Sequence, residues 1–151
     1  MSSRPMRAHA QRGVALIEVL IAFLILSVGL LGFSALQVRT VKSTQSSLQR
    51  GDASLLANSI LESMRANRAA ALLQAYNLSL TCDVPAASGS LASADLVAWF
   101  TALKAGLGSG AGTCGDITCN AEGLCTVNVY WDDSRALGGS ATQSLQLLGH
   151  L

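Results

Sequence analysis

Hydrophobic and polar positions divide the chain into stretches of different character. From Val14 to Leu36 the sequence is predominantly apolar and holds one ionisable side chain, Glu18. A bilayer-spanning helix needs about 20 apolar residues, so this run predicts a helix long enough to cross a membrane. From Val38 to Tyr76 apolar and polar residues mix without a proline. Val41, Leu48, Leu55, Ile60 and Met64 recur near helical spacing there, and Leu56 and Leu61 widen the stripe. The pattern predicts one long helix over 14–75, with its second half turning this stripe toward a small domain. Gly51-Asp52 is the weak point where it would bend or end. Arg65 and Arg68 near its end suit the helix dipole and read as solvated charges.

Further along, SLASADLVAWFTALKAGLG predicts a second helix. Ser93 reads as its N-cap, with Asp95 in the first turn and Gly106 or Gly108 at the end. Leu96, Trp99, Phe100 and Leu103 share one face, which makes Trp99 a core residue. LCTVNVYW alternates strictly, with Cys125, Val127, Val129 and Trp131 on one face. ATQSLQLLGHL predicts another strand, with Leu145 and Leu147 together. The turn residues of DDSRALGGS between them predict an antiparallel pair, and a short strand over Asp116–Cys119 adds a third. The expected fold is α+β, a long N-terminal helix packed on a small antiparallel sheet.

Charge sharpens this picture. Arg4, Arg7 and Arg12 precede the apolar run without any acid, whereas the remainder holds seven basic and nine acidic side chains. The positive-inside tendency keeps such an N-terminus cytoplasmic and exports the body. A slightly acidic body gives no reason to expect nucleic-acid binding. The run is longer than a secretory signal's apolar core, and Phe33-Ser34-Ala35 is a poor cleavage site. Glu18 is the informative residue. A charge inside a spanning helix costs about 2.5–3.5 kcal/mol at the centre, less near an end. A plain anchor gains nothing from it. A cut after Gly13 would make Val14 the N-terminus, one helical turn from Glu18. The amine of a neighbouring copy could then meet that carboxylate in low dielectric and fix helix register.

Gly13-Val14-Ala15-Leu16-Ile17-Glu18 resembles the type IV prepilin processing site, in which a short basic leader and a glycine precede an apolar helix with glutamate at its fifth position. The resemblance implies cleavage between Gly13 and Val14 by prepilin peptidase and methylation of the Val14 amine. Val14 stands where phenylalanine is usual, and Ala15 where threonine is frequent. Starting at Met6 would give the compact leader MRAHAQRG. SVGLLGFSALQ, ANSILESMRANRAAALLQAY, ADLVAWFTALKAGL and CTVNVYWDDSR resemble the PilV family of minor pilins. That resemblance implies an inner-membrane minor pilin with a periplasmic body. It would prime pilus assembly with other minor pilins and the major pilin, sit at or near the tip, and help present an adhesin. The implied division is a leader over 1–13, a transmembrane and assembly helix over 14–36, a periplasmic half-helix over 37–76 and a globular part over 77–151. The rival readings are a minor pseudopilin of type II secretion and a membrane-anchored periplasmic binding module.

Four cysteines, Cys82, Cys114, Cys119 and Cys125, lie in the exported part. An even count in oxidising surroundings favours two disulfides, with three connectivities possible. Cys119 and Cys125 flank a hairpin-like loop, so Cys119–Cys125 with Cys82–Cys114 is preferred. Their spacing is not that of a zinc ribbon or finger and no histidine is near, so no metal is expected. The glycine-rich GSGAGTCG lacks a P-loop lysine and reads as a connector. His9 and His150 are the only histidines, and the acids are dispersed, Asp132-Asp133 reading as a solvated turn. The sequence therefore predicts a structural component with no cofactor, not an enzyme.

Overall fold

In the computed structural model the described residues are 14–136 and 138–151, with side chains described from Leu16 onward. The elements are α1 (Val14–Ala66), α2 (Arg68–Leu72), β1 (Leu78–Thr81), α3 (Leu91–Leu107), β2 (Cys114–Cys119), β3 (Leu124–Trp131) and β4 (Gln143–His150). They fall into two compact units, one reaching to Thr40 and the other Val41–Leu151. Among the described residues the first is helix alone. The second is α+β, with a four-stranded antiparallel sheet in the order β1-β2-β3-β4.

The second unit has one core between the sheet and the helices. β3 turns Cys125, Val127, Val129 and Trp131 inward, all at most 1% exposed, as its alternation predicts. Ile117 and Cys119 of β2 stand opposite Val127 and Cys125 on the same face. α3 contributes Leu96, Trp99, Phe100 and Leu103. Helix α1 contributes Ala53, Ala57, Ile60, Leu61 and Met64. Two alanines in that row let helix and sheet approach closely.

Several sequence expectations need correction. The α1 stripe divides into two opposed faces. Val41, Leu48 and Leu55 are 65%, 63% and 71% exposed, while Ile60, Leu61 and Met64 are buried. At 100° per residue, positions 41, 48 and 55 fall about 145–175° from the centre of the Ala53–Met64 face, so one helix cannot bury both. The helix runs through Gly51 uninterrupted and ends at Ala66, not near 75. Asn67 leaves helical geometry at φ −111° and ψ 46°. The break lets Tyr76 fold back until it is fully buried. Ser90, not Ser93, caps α3, and its hydroxyl accepts from the Ser93 N–H. Gly108 follows the last turn of α3 with φ +120°, where a side chain would be strained.

β1 is an additional edge strand not expected from the sequence. Its pairing is extended by the Asn77 side chain, which accepts from the Cys119 N–H at 2.7 Å and donates to the Cys119 carbonyl at 3.2 Å. The carboxamide thus takes the place of a backbone group in the ladder. Gly115 and Gly149 mark close approaches: the Trp99 ring lies over the first, and the Leu61 side chain occupies the space a Cβ on the second would need.

Candidate functional site

Helix α1 opens at Val14, and Glu18 lies four residues on. In an α-helix such positions share a face one turn apart. Every large apolar side chain from Leu16 to Leu36 is more than half exposed. Ser27 and Ser34 satisfy their hydroxyls on the carbonyls of Leu24 and Leu30, so these polar groups are already paired within the helix. Glu18 is the one ionisable side chain in this stretch. Among the described residues one helix is long and apolar enough to cross a membrane, with a mean hydropathy of 2.6 over its most apolar window. Gly13, the leader over 1–13 and the alternative start at Met6 lie outside the described residues.

The four cysteines form two bridges, Cys82–Cys114 and Cys119–Cys125. The second joins residues directly opposite in the β2–β3 ladder. The first ties the end of β1 to the start of β2 and closes the segment that contains α3. Cys119 also lies 3.7 Å from the Met64 sulfur. Both bridges therefore fix the body.

Polar groups in the body hold parts of it together. The Tyr76 hydroxyl donates to Asp95 at 2.5 Å and accepts from Asn67 at 3.1 Å. Burial, and secondarily the hydrogen bond to Asp95, push the Tyr76 phenol above its ordinary value. Asp133 is only 4% exposed and accepts from the Ser46 hydroxyl, which ties the β3–β4 connection to α1. The expectation of a solvated two-acid turn is thus wrong for Asp133, whereas Asp132 is exposed and held below the usual carboxylate range by the Ser134 backbone N–H. Arg65 also departs from a purely solvated role: it donates to Glu62 and to the His150 carbonyl. Among the described residues no three His, Cys, Asp or Glu side chains come together as a metal site. Sequence reasoning missed the Ser46–Asp133 and Asn67–Tyr76–Asp95 contacts, because each joins residues whose proximity depends on the tertiary fold.

Two family models match the chain. One, described as the prokaryotic N-terminal methylation motif, covers residues 8–34. The other, described as type IV pilin Tt1218, covers residues 35–96. Comparison with curated proteins gives no match. Comparison with solved structures gives none either. The apolar N-terminal helix and the methylation motif fit membrane anchoring. Together with a long helix followed by a small four-stranded antiparallel sheet, the two family matches support a type IV pilin.

Proposed function

We propose that this chain is a minor pilin of the PilV family that primes type IV pilus assembly and sits at or near the pilus tip. The carrying observation is Glu18, a lone carboxylate one turn into a helix whose other side chains from Leu16 to Leu36 are apolar or internally bonded. Prepilin peptidase cuts between Gly13 and Val14, and the new Val14 amine is methylated. Before assembly, residues 14–36 span the inner membrane with the body in the periplasm. During assembly the Glu18 carboxylate pairs with the N-terminal amine of a neighbouring pilin and sets the helix register. Residues 37–76 and 77–151 form the periplasmic half-helix and the globular part that meet other minor pilins, the major pilin and a tip adhesin. The role is structural, not enzymatic, and the match to a type IV pilin model over residues 35–96 supports it.

Glu18→Ala tests this reading. The variant should insert as well as the parent or better, since up to about 2.5–3.5 kcal/mol of insertion cost is relieved. Surface pili should nevertheless be lost. Normal pilus numbers in that variant would refute the pairing. Mass spectrometry of the mature protein should find a methylated Val14 at its start; an attached arginine-bearing leader would refute the processing.

A further inference from the structure

The two edges of the sheet are unequal. β1 is four residues long, its pairing with β2 shifts register, and Cys82 follows it in a disulfide. Short, irregular, tied edges resist further pairing. β4 is eight residues long and pairs with β3 in regular register throughout. Its sequence, QSLQLLGH, has no Lys, Arg, Asp, Glu or Pro, so it lacks the usual devices that blunt an edge.

The ladder shows which β4 groups face outward. Asn120 N–H donates to the Leu124 carbonyl, which puts the even-numbered backbone groups of β3 toward β2. Odd-numbered groups of β3 therefore bond to β4, opposite Gln143, Leu145, Leu147 and Gly149. The N–H and C=O groups of Ser144, Gln146, Leu148 and His150 aim at the free edge. The His150 carbonyl agrees, since Arg65 Nε reaches it at 3.0 Å. Among the described residues no other element bonds to the Ser144, Gln146 or Leu148 backbone.

Burial points the same way. The inward positions of β3 are fully buried, but the corresponding positions of β4, including Leu145 and Leu147, are only half-buried. One more strand beyond β4 would complete that cover. By helical spacing Ser47, Ser54 and Asn58 share the α1 face of Arg50 and Arg65, which reach Gln143 and His150 of β4, and their side chains are short. Arg50 stands at the Gln143 end, where it donates to the Gln143 side chain at 3.3 Å.

We infer that β4 is a strand-addition site for an extended segment of a different protein chain, apolar at alternate positions and acidic at the end beside Arg50. Backbone pairing would supply attachment, the half-covered Leu145 and Leu147 would select the alternation, and Arg50 would select the direction. The site depends on the β4 edge and Arg50 and not on the pilin role.

The test places photoreactive benzoylphenylalanine at Gln146 or at Leu148 in the full chain, in the membrane of its own cell. Crosslinked peptides are then mapped by mass spectrometry. Both probes should capture one segment of one partner chain, with the attachment point displaced by two residues between them. With the probe at Leu148, Gln146→Pro should cut the yield about tenfold, because it removes an outward donor at an edge position where proline is tolerated. Arg50→Glu should lower it while leaving the strand's own sequence unchanged. Attachments scattered over unrelated segments, lipid adducts alone, or no product would overturn the site. Capture of β4 from a second copy would overturn the different-chain occupant. A yield unchanged in both variants would overturn the backbone pairing.

Discussion

Gly115→Ala should destabilise the body although the backbone there accepts alanine. Gly115 lies in β2 opposite Val129 and faces inward. A Cβ built on it would stand 2.8 Å from Trp99 Cη2 and 3.2 Å from Cζ3. Carbon atoms settle at about 3.5–4.0 Å, so ring and strand must separate by roughly 0.7 Å or more. The ring cannot yield freely. Its Nε1 donates to the Leu56 carbonyl at 2.9 Å, and Phe100 meets it edge-on at 5.1 Å and 87°. Overpacking of this kind costs about 1–3 kcal/mol, and losing the indole hydrogen bond would add about 1 kcal/mol. Against this, alanine gains about 0.5–1 kcal/mol over glycine in a strand. The net expectation is a loss of about 1–3 kcal/mol. The assay is urea unfolding of the detergent-solubilised chain, followed by tryptophan fluorescence, to which Trp131 contributes in every variant. A double-mutant cycle with Trp99→Phe isolates the cause, because phenylalanine lacks the distal ring atoms that collide. In that background Gly115→Ala should cost little. An equal cost in both backgrounds, or no cost in the parent, would refute the reasoning.

The disulfides give a second prediction. Cys82 and Cys114 are 32 residues apart, Cys119 and Cys125 six. On the chain-entropy account, replacing the first pair by serine should cost about 4 kcal/mol and the second about 2 kcal/mol, measured as midpoint shifts in denaturant. The reverse order would argue that local contacts, not loop closure, dominate. A third concerns alkaline pH. Folding raises the Tyr76 phenol above its ordinary value of 10.0, so the folded state holds its proton more tightly than the unfolded chain. Its contribution is fully present below pH 10.0 and is lost as pH rises through the higher folded-state value. Stability should therefore fall on the alkaline side, and Tyr76→Phe should flatten that part of a pH–stability curve. An unchanged slope would sink the assignment.

Periodicity carried much of the fold. Cys125, Val127, Val129 and Trp131 alternate without a break, and β3 buries all four. The α3 face was equally legible, because Leu96, Trp99, Phe100 and Leu103 have no competing stripe. Helix α1 was harder. Two apolar faces coexist on it, and the larger side chains of Val41, Leu48 and Leu55 obscured the alanines that the sheet meets. β1 was hidden because LSLT is short and its pairing is shared with an Asn side chain, which no period records. Tertiary contacts set the end of α1, since RAAALLQAY has good helix propensity but helix resumes only over Arg68–Leu72, and the burial of Tyr76 overrides it beyond. At the candidate site, Glu18 stood out because it breaks an apolar run; Asp133 did not, because its burial depends on Ser46 across the fold.

Strand order follows chain order, and among the described residues α3 is the sole helix inserted within the sheet's sequence. As the polypeptide emerges N-terminus first, Cys82 must wait for Cys114, and the neighbour most readily available to Cys114 is the wrong one, Cys119. The β2–β3 hairpin resolves this competition. Once β2 meets β3, Cys114 lies opposite Tyr130 and Cys119 opposite Cys125, at opposite ends of the ladder. The ladder thus discriminates among thiols: about 17 Å of extended strand separates Cys114 from Cys119, beyond disulfide reach, so the folded sheet admits Cys82 and not Cys119 as the partner of Cys114.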